Sequence, residues 1–262
     1  MINFRFIFLW VLLAINAPNG QGQIRTVVLD AGHGGKDTGA HGAKGVLEKT
    51  CNLKIVLALG KKIKEAHPDV KVIYTRMTDV FIPLNERSDI ANRNKADLFI
   101  SVHCNAMDIK ANPSLESFAG TETYVMGLHK GDANLGVAKR ENAAILQESD
   151  YKKKYNGYDP NSPLSHIMMA NYQNAFLKNS LRFAERVERA FTKFASRSSR
   201  GVKQAGFIVL WTTTMPSILV ESGFLSNLKE EQYLKSEEGQ EALANAIFKA
   251  FDKYKTEIET QN

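Results

Sequence analysis

Two short segments carry the residues best suited to chemistry: Asp30-Ala31-Gly32-His33-Gly34-Gly35 and Ser101-Val102-His103-Cys104-Asn105-Ala106. Each ends a short apolar run with a histidine, and an isolated carboxylate, Glu48, follows His33 in a glycine-rich stretch. Two imidazoles and one carboxylate are the donor set of an open catalytic zinc site, in which a fourth position is left for water. Glu221 closes another apolar run, in Leu219-Val220-Glu221-Ser222-Gly223-Phe224-Leu225-Ser226-Asn227, and has the chemistry of a general base. Amide hydrolysis at such a centre needs an activated water, charge stabilisation at the carbonyl oxygen and a proton for the departing nitrogen. The ion supplies the first two and Glu221 can supply the third, so no cysteine or serine nucleophile is required. Each residue also has a plainer reading. A histidine on an apolar edge is more often structural than a ligand, and Glu48 equally suits the positive end of a helix.

These residues need a scaffold that brings them together. Branched apolar runs predict strands over residues 24–30, 70–75, 97–102, 120–126, 207–211 and 218–221. Leu53, Val56, Leu57, Gly60 and Ile63 recur at helical spacing after Glu48, and Pro68 closes that helix. Pro83 suits the first turn of a second helix reaching about residue 95. A long helix is expected over 165–195, and Leu243, Ile247, Phe251 and Tyr254 mark one face of a C-terminal helix. Strands alternating with helices predict an α/β fold: a single domain with a central mixed sheet of about six strands and helices on both faces. His33, His103 and Glu221 then fall at the C-terminal ends of strands, the edge where sites form in open α/β sheets.

The chain has 262 residues and a formal net charge of +6. Its cationic residues are dispersed apart from Lys152-Lys153-Lys154, with no basic stripe interleaved with aromatics, so a nucleic-acid partner is not expected. Residues 1–22 combine Arg5, an apolar run and a small-residue exit, the pattern of a secretory signal peptide, with an uncleaved anchor as the alternative. No other stretch is long and apolar enough to span a bilayer. The expected organisation is this signal, a catalytic domain over 23–257 and a tail over 258–262. Within the domain, 107–163 is an irregular insertion whose polar stretch 137–151 has helical character. Cys51 and Cys104 each lie near a proposed ligand and read as small buried residues, bonded or not. Asp30 and Asn105 read as groups that orient ligands or satisfy turn amides, and Arg76 and Arg87 as partners in internal salt bridges. His41, His67, His129 and His166 lack supporting context.

Seven blocks, in order, resemble the zinc-dependent N-acetylmuramoyl-L-alanine amidases of the bacterial cell wall, the amidase type 3 family. They are Val28–Gly35, Thr75-Arg76-Met77-Thr78-Asp79, Leu84-Asn85-Glu86-Arg87, Ala91-Asn92, Ala96–Ala106, Gly120-Thr121-Glu122-Thr123-Tyr124 and Val220–Asn227. The resemblance implies His33, Glu48 and His103 as zinc ligands and Glu221 as the catalytic carboxylate. It implies peptidoglycan as substrate, cut between the lactyl group of N-acetylmuramic acid and L-alanine, in a periplasmic or other extracytoplasmic location. Some cell-division members carry a helix that covers the site until an activator protein displaces it. Residues 137–151 are the candidate here, with Glu141 or Glu148 reaching the metal, and a substrate lid or surface insertion as the alternatives. A catalytically silent wall-binding protein and a zinc peptidase of other substrates are the competing functions.

Overall fold

The computed structural model describes residues 22–107, 117–128, 131–162, 164–165, 168 and 175–260. The signal segment, apart from Gly22, lies outside the described residues, as do His129 and His166. Six strands form one mixed sheet in the order β2-β1-β3-β6-β4-β5. They are β1 (Thr26–Ala31), β2 (Lys71–Tyr74), β3 (Leu98–Asn105), β4 (Thr121–Met126), β5 (Ser199–Ala205) and β6 (Ser217–Phe224). Strands β2, β1, β3 and β6 are parallel, β4 runs antiparallel to β6, and β5 is parallel to β4.

The central strands β3 and β6 are buried along their whole length, as expected for strands covered on both faces. Alternation divides their side chains between two cores. Val27, Leu29, Ile100, Val102 and Val220 face one layer, made by α1 (Glu48–Ala66), the long helix α5 (Leu177–Phe194) and α8 (Glu237–Thr260). Val28, Phe99, Tyr124 and Leu219 face the other. That layer contains α2 (Leu84–Arg93), α3 (Asp132–Asn142) with its 3-10 extension Ala143–Gln147, and the short helices α4 (Tyr151–Lys154) and α6 (Ile208–Trp211). Helix α7 (Leu228–Lys235) follows β6, capped by the Asn227 side chain, which accepts from Lys229 N and Glu230 N.

The architecture matches the expected α/β class, with differences in detail. The apolar run 207–211 is not a strand but the helical turn α6; a short apolar run has no period of its own and suits either state. The sixth strand is instead β5, whose sequence SRGVKQA is polar because it forms the sheet edge. Residues 164–165 and 168 are helical as expected, but the long helix itself begins at Leu177, after a turn at 175–176. Strands β3 and β6 continue past their expected ends, so His103 and Glu221 sit within strands rather than at their C-terminal ends. Helix α8 runs to Thr260, beyond the expected boundary at 257.

Candidate active site

His33 follows β1 in a left-handed backbone conformation, φ 61°, which turns the chain sharply at the sheet edge. Two buried arginines hold that turn. Arg87 Nη1 donates to Asp30 Oδ1 at 2.8 Å and to Ala31 O at 2.8 Å, and its Nη2 donates to His33 O at 2.8 Å. Arg76 donates to the carbonyls of Ala31, Gly32, Thr78 and Lys49. Arg87 therefore makes the expected internal salt bridge, whereas Arg76 serves backbone carbonyls that the turn points inward. Asp30 neither orients a ligand nor serves a turn amide: it accepts from Thr75, Ser101 and Arg87. The positive guanidinium of Arg87 and these hydroxyls outweigh the effect of burial and hold its carboxyl below the usual carboxylate range.

Strand β3 presents His103 on the same edge. Its imidazole lies against Gly32, where a Cβ would come within 2.3 Å of the ring, so only glycine fits. Glu48 opens α1 and reaches across, its Oε1 accepting from Cys104 N at 3.0 Å and lying 3.1 Å from His103 Nδ1. His33 Nε2 lies 3.0 Å from the same oxygen. From the opposite side α3 brings Glu141, whose Oε2 lies 3.1 Å from His33 Nε2 and 2.9 Å from His103 Nδ1. One donor atom from each of His33, Glu48, His103 and Glu141 thus falls within 4.8 Å of the others, and all four side chains are buried.

This cluster is shaped for a cation. His33 Nδ1 is hydrogen-bonded to Asp37 Oδ2 at 2.9 Å, which leaves Nε2 as a lone pair. Neither that nitrogen nor Glu141 Oε2 has a hydrogen-bond partner, although both are buried. Acceptors converging at about 3 Å in a dry site need a positive charge between them, and bonds of about 2.0–2.2 Å to a tetrahedral ion fit spacings only slightly larger. Without an ion, protons take its place. Burial alone would lower His33, but the Glu48 charge and the Asp37 hydrogen bond hold it well above its usual value. His103 is raised to about 9, the Glu141 charge outweighing burial.

Glu221 lies on β6, directly opposite His103 in register. It is fully buried, and neither carboxylate oxygen has a hydrogen-bond partner. Burial and then the Glu141 charge push it well above the usual carboxylate range. Arg140 Nη2 stands 3.9 Å from Glu221 Oε1. That arginine also donates to Asn105 Oδ1 at 2.9 Å and to Ala106 O at 2.8 Å. Asn105 also serves a turn amide, accepting from Ala106 N at 2.8 Å.

The structure brings His33, Glu48 and His103 together and sets Glu221 beside them. Of the two inhibitory candidates, Glu141 reaches the cluster, whereas Glu148 pairs with Lys154 and Tyr155. Asp37 and Arg140 were missed. Asp37, four residues after His33 in the same glycine-rich loop, was a readable signal; Arg140 was not, because only the docking of α3 brings it near Glu221. Cys51 and Cys104 are both free and buried. His67 pairs with Asp252, and His41 contacts Thr38.

A mixed sheet that gathers four buried side chains able to hold a metal ion, with an unpartnered carboxylate beside them at one edge, has the donor set and the base that hydrolysis calls for. The chain belongs to the N-acetylmuramoyl-L-alanine amidase family, which its residues 27–253 match. It is 33% identical over 227 residues to the amidase AmiA of Escherichia coli K12, covering 85% of this chain and 73% of that one. With AmiC of Escherichia coli O6:H1 the identity is 34%, over 90% of this chain but only 55% of that relative. Among solved structures, an amidase from Clostridium difficile 630 has a TM-score of 0.65 at 26% identity, covering 88% of this chain and 97% of its own. AmiC2 of Nostoc punctiforme has a TM-score of 0.62 at 28% identity, covering 89% and 98%.

Proposed function

We propose that the chain is an exported zinc amidase that cuts peptidoglycan between the lactyl group of N-acetylmuramic acid and L-alanine, in cell-wall remodelling and daughter-cell separation. His33, Glu48 and His103 hold the zinc and Glu221 is the catalytic base. The observation that carries this reading is the convergence of His33 Nε2, Glu48 Oε1 and His103 Nδ1 beside the buried carboxylate of Glu221. Family membership and the signal-like residues 1–22 support the substrate and the export. No helix of the described residues is long and apolar enough to cross a membrane.

When bound, zinc activates water and polarises the scissile carbonyl. Glu221 accepts the proton from the attacking water, holds it in a buried site and delivers it to the departing L-alanine nitrogen. Asp37 fixes the tautomer of His33, and Arg87 fixes the loop that carries it.

Glu141 Oε2 lies where the fourth donor belongs, so the same reading includes autoinhibition by α3, relieved by an activator protein that draws the helix away. The competing reading is a closed, silent site in which Glu141 is a permanent ligand. The test is incubation of the mature protein with purified sacculi, with and without chelator, and with activity restored by zinc. Newly freed L-alanine amino termini that vanish with chelator support the amidase. Their absence even from a Glu141→Ala variant with full metal content supports the silent protein.

A further inference from the structure

Beyond the catalytic cluster the same sheet edge carries a second group of charges. A cavity of about 410 Å³ opens between α3 and strands β4 and β5, walled by Phe118, Phe224, Val137, Arg140, Arg200 and Lys203. Arg200 Nε donates to Glu122 Oε1 at 2.7 Å, and Lys203 Nζ donates to the same oxygen at 2.6 Å. Glu122 Oε2 accepts from Tyr124 at 2.8 Å and from Asn105 at 3.3 Å. Both oxygens of Glu122 are therefore satisfied, yet its single charge faces two cations. On the sheet side of the cavity Arg200 and Lys203 outnumber Glu122 by one positive charge, whereas Arg140 and Asp132 both belong to α3, which the open enzyme draws away. The Arg200 guanidinium lies over the Phe224 and Phe118 rings at 5.1 and 5.8 Å, which fixes its plane. With Nε committed to Glu122, the two terminal nitrogens remain to receive a ligand.

A backbone irregularity makes this grouping possible. Three positions apart on a regular strand, Arg200 and Lys203 would point to opposite faces. Thr121 pairs with Ser199 and Thr123 with Val202, so β5 holds one extra residue opposite Glu122. This bulge, with Gly201 at φ 87°, restores both cations to the catalytic face. Glu122 is paired with Glu221, which is paired with His103. Metal ligand, base and cation pair therefore form one row across β3, β6, β4 and β5. At about 4.8 Å per strand, the cations begin roughly 5–10 Å beyond Glu221. An extended peptide covers that distance in about two to three residues.

We infer that this cavity is the subsite for the peptide side of the substrate, and that Arg200 and Lys203 recognise a carboxylate one to three residues beyond the scissile amide, with Phe118 and Phe224 packing its aliphatic part. A neutral glycan would gain nothing from the surplus charge. The inference rests on the amidase reading and specifies which stem peptides that activity prefers.

The test is titration calorimetry of the metal-loaded full chain carrying Glu141→Ala, the substitution that opens the site, with the product peptide, which begins with L-alanine and undergoes no turnover. The peptide is compared in two forms, with its carboxylates free and with them amidated. Amidation is expected to weaken binding about tenfold, the loss of a charge-assisted contact. Arg200→Gln and Lys203→Gln should each reduce that discrimination while leaving the amidated peptide unchanged, and Lys203→Arg should keep it. If the Arg200 variant does not fold, the Lys203 pair carries the test. Equal binding of the two peptides, no binding of either, or discrimination untouched by the substitutions overturns the inference. So does a peptide-free muramyl disaccharide that displaces the free-carboxylate peptide. Failure of the amidase reading shows separately, as no L-alanine termini released from sacculi.

Discussion

Replacing Glu141 by alanine should convert a closed enzyme into an active one. The Glu141 carboxylate is buried, within 2.9 Å of His103 Nδ1 and 3.1 Å of His33 Nε2, and bonded to Arg140 Nε at 3.1 Å. Removing one partner from a buried ionic cluster costs about 3–5 kcal/mol. At about 1.4 kcal/mol per tenfold, the lower figure shifts a closed-to-open equilibrium roughly 100-fold. Other contacts still hold the helix. Val137 and Ala138 stay in the second core, Asn142 Nδ2 donates to Gly206 O at 2.8 Å, and Asn142 Oδ1 accepts from Ile208 N at 2.9 Å. Opening therefore remains partial, and basal turnover should rise about 10- to 100-fold. The assay is release of dye-labelled fragments from sacculi, with zinc content measured for each protein. A Glu141→Ala enzyme with full metal occupancy and unchanged or lower turnover would refute the inhibitory role of α3.

Further outcomes are expected. Glu221→Gln, made in the Glu141→Ala background, should keep zinc and fold but lose about 10²–10⁴ in kcat; retained activity would remove the base assignment. His33→Ala should lose the metal, and Asp37→Ala should weaken zinc about 10- to 100-fold, read by competition with a chelating dye. The metal-free protein should lose thermal stability as pH rises. His33 and His103 are raised above 6.5, so their contribution is fully present below about that value and fades as pH climbs through about 9 for His103. Glu221, raised above 4.5, changes with the same sign, because its protonated form is the one the fold prefers. A chelated protein whose Tm increases between pH 6.5 and 9 would contradict this. Arg87→Met should destabilise by about 3–5 kcal/mol in urea unfolding, because it strands Asp30 as a buried charge.

The sequence by itself determined the elements with strong periodicity and the residues with singular chemistry. The branched runs around Val28, Ile100 and Val220 read as buried strands, and Val56, Ile63, Phe251 and Tyr254 marked helix faces that are indeed buried. The histidines at 33 and 103 and the carboxylate at 221 were legible because each ends an apolar run, whereas Glu48, in a glycine-rich stretch, was placed by the family resemblance. Tertiary structure alone decided what lacks a local signature. Polar β5 is a strand because β4 offers it a hydrogen-bonding edge, while the apolar run at 207–211 turns helical. Arg140 meets Glu221, and Glu141 rather than Glu148 meets the histidines, because α3 docks against the sheet in one register. A side chain's type is fixed when it is encoded; its partner is fixed by packing between segments remote in the chain, and a local pattern holds no record of that distance.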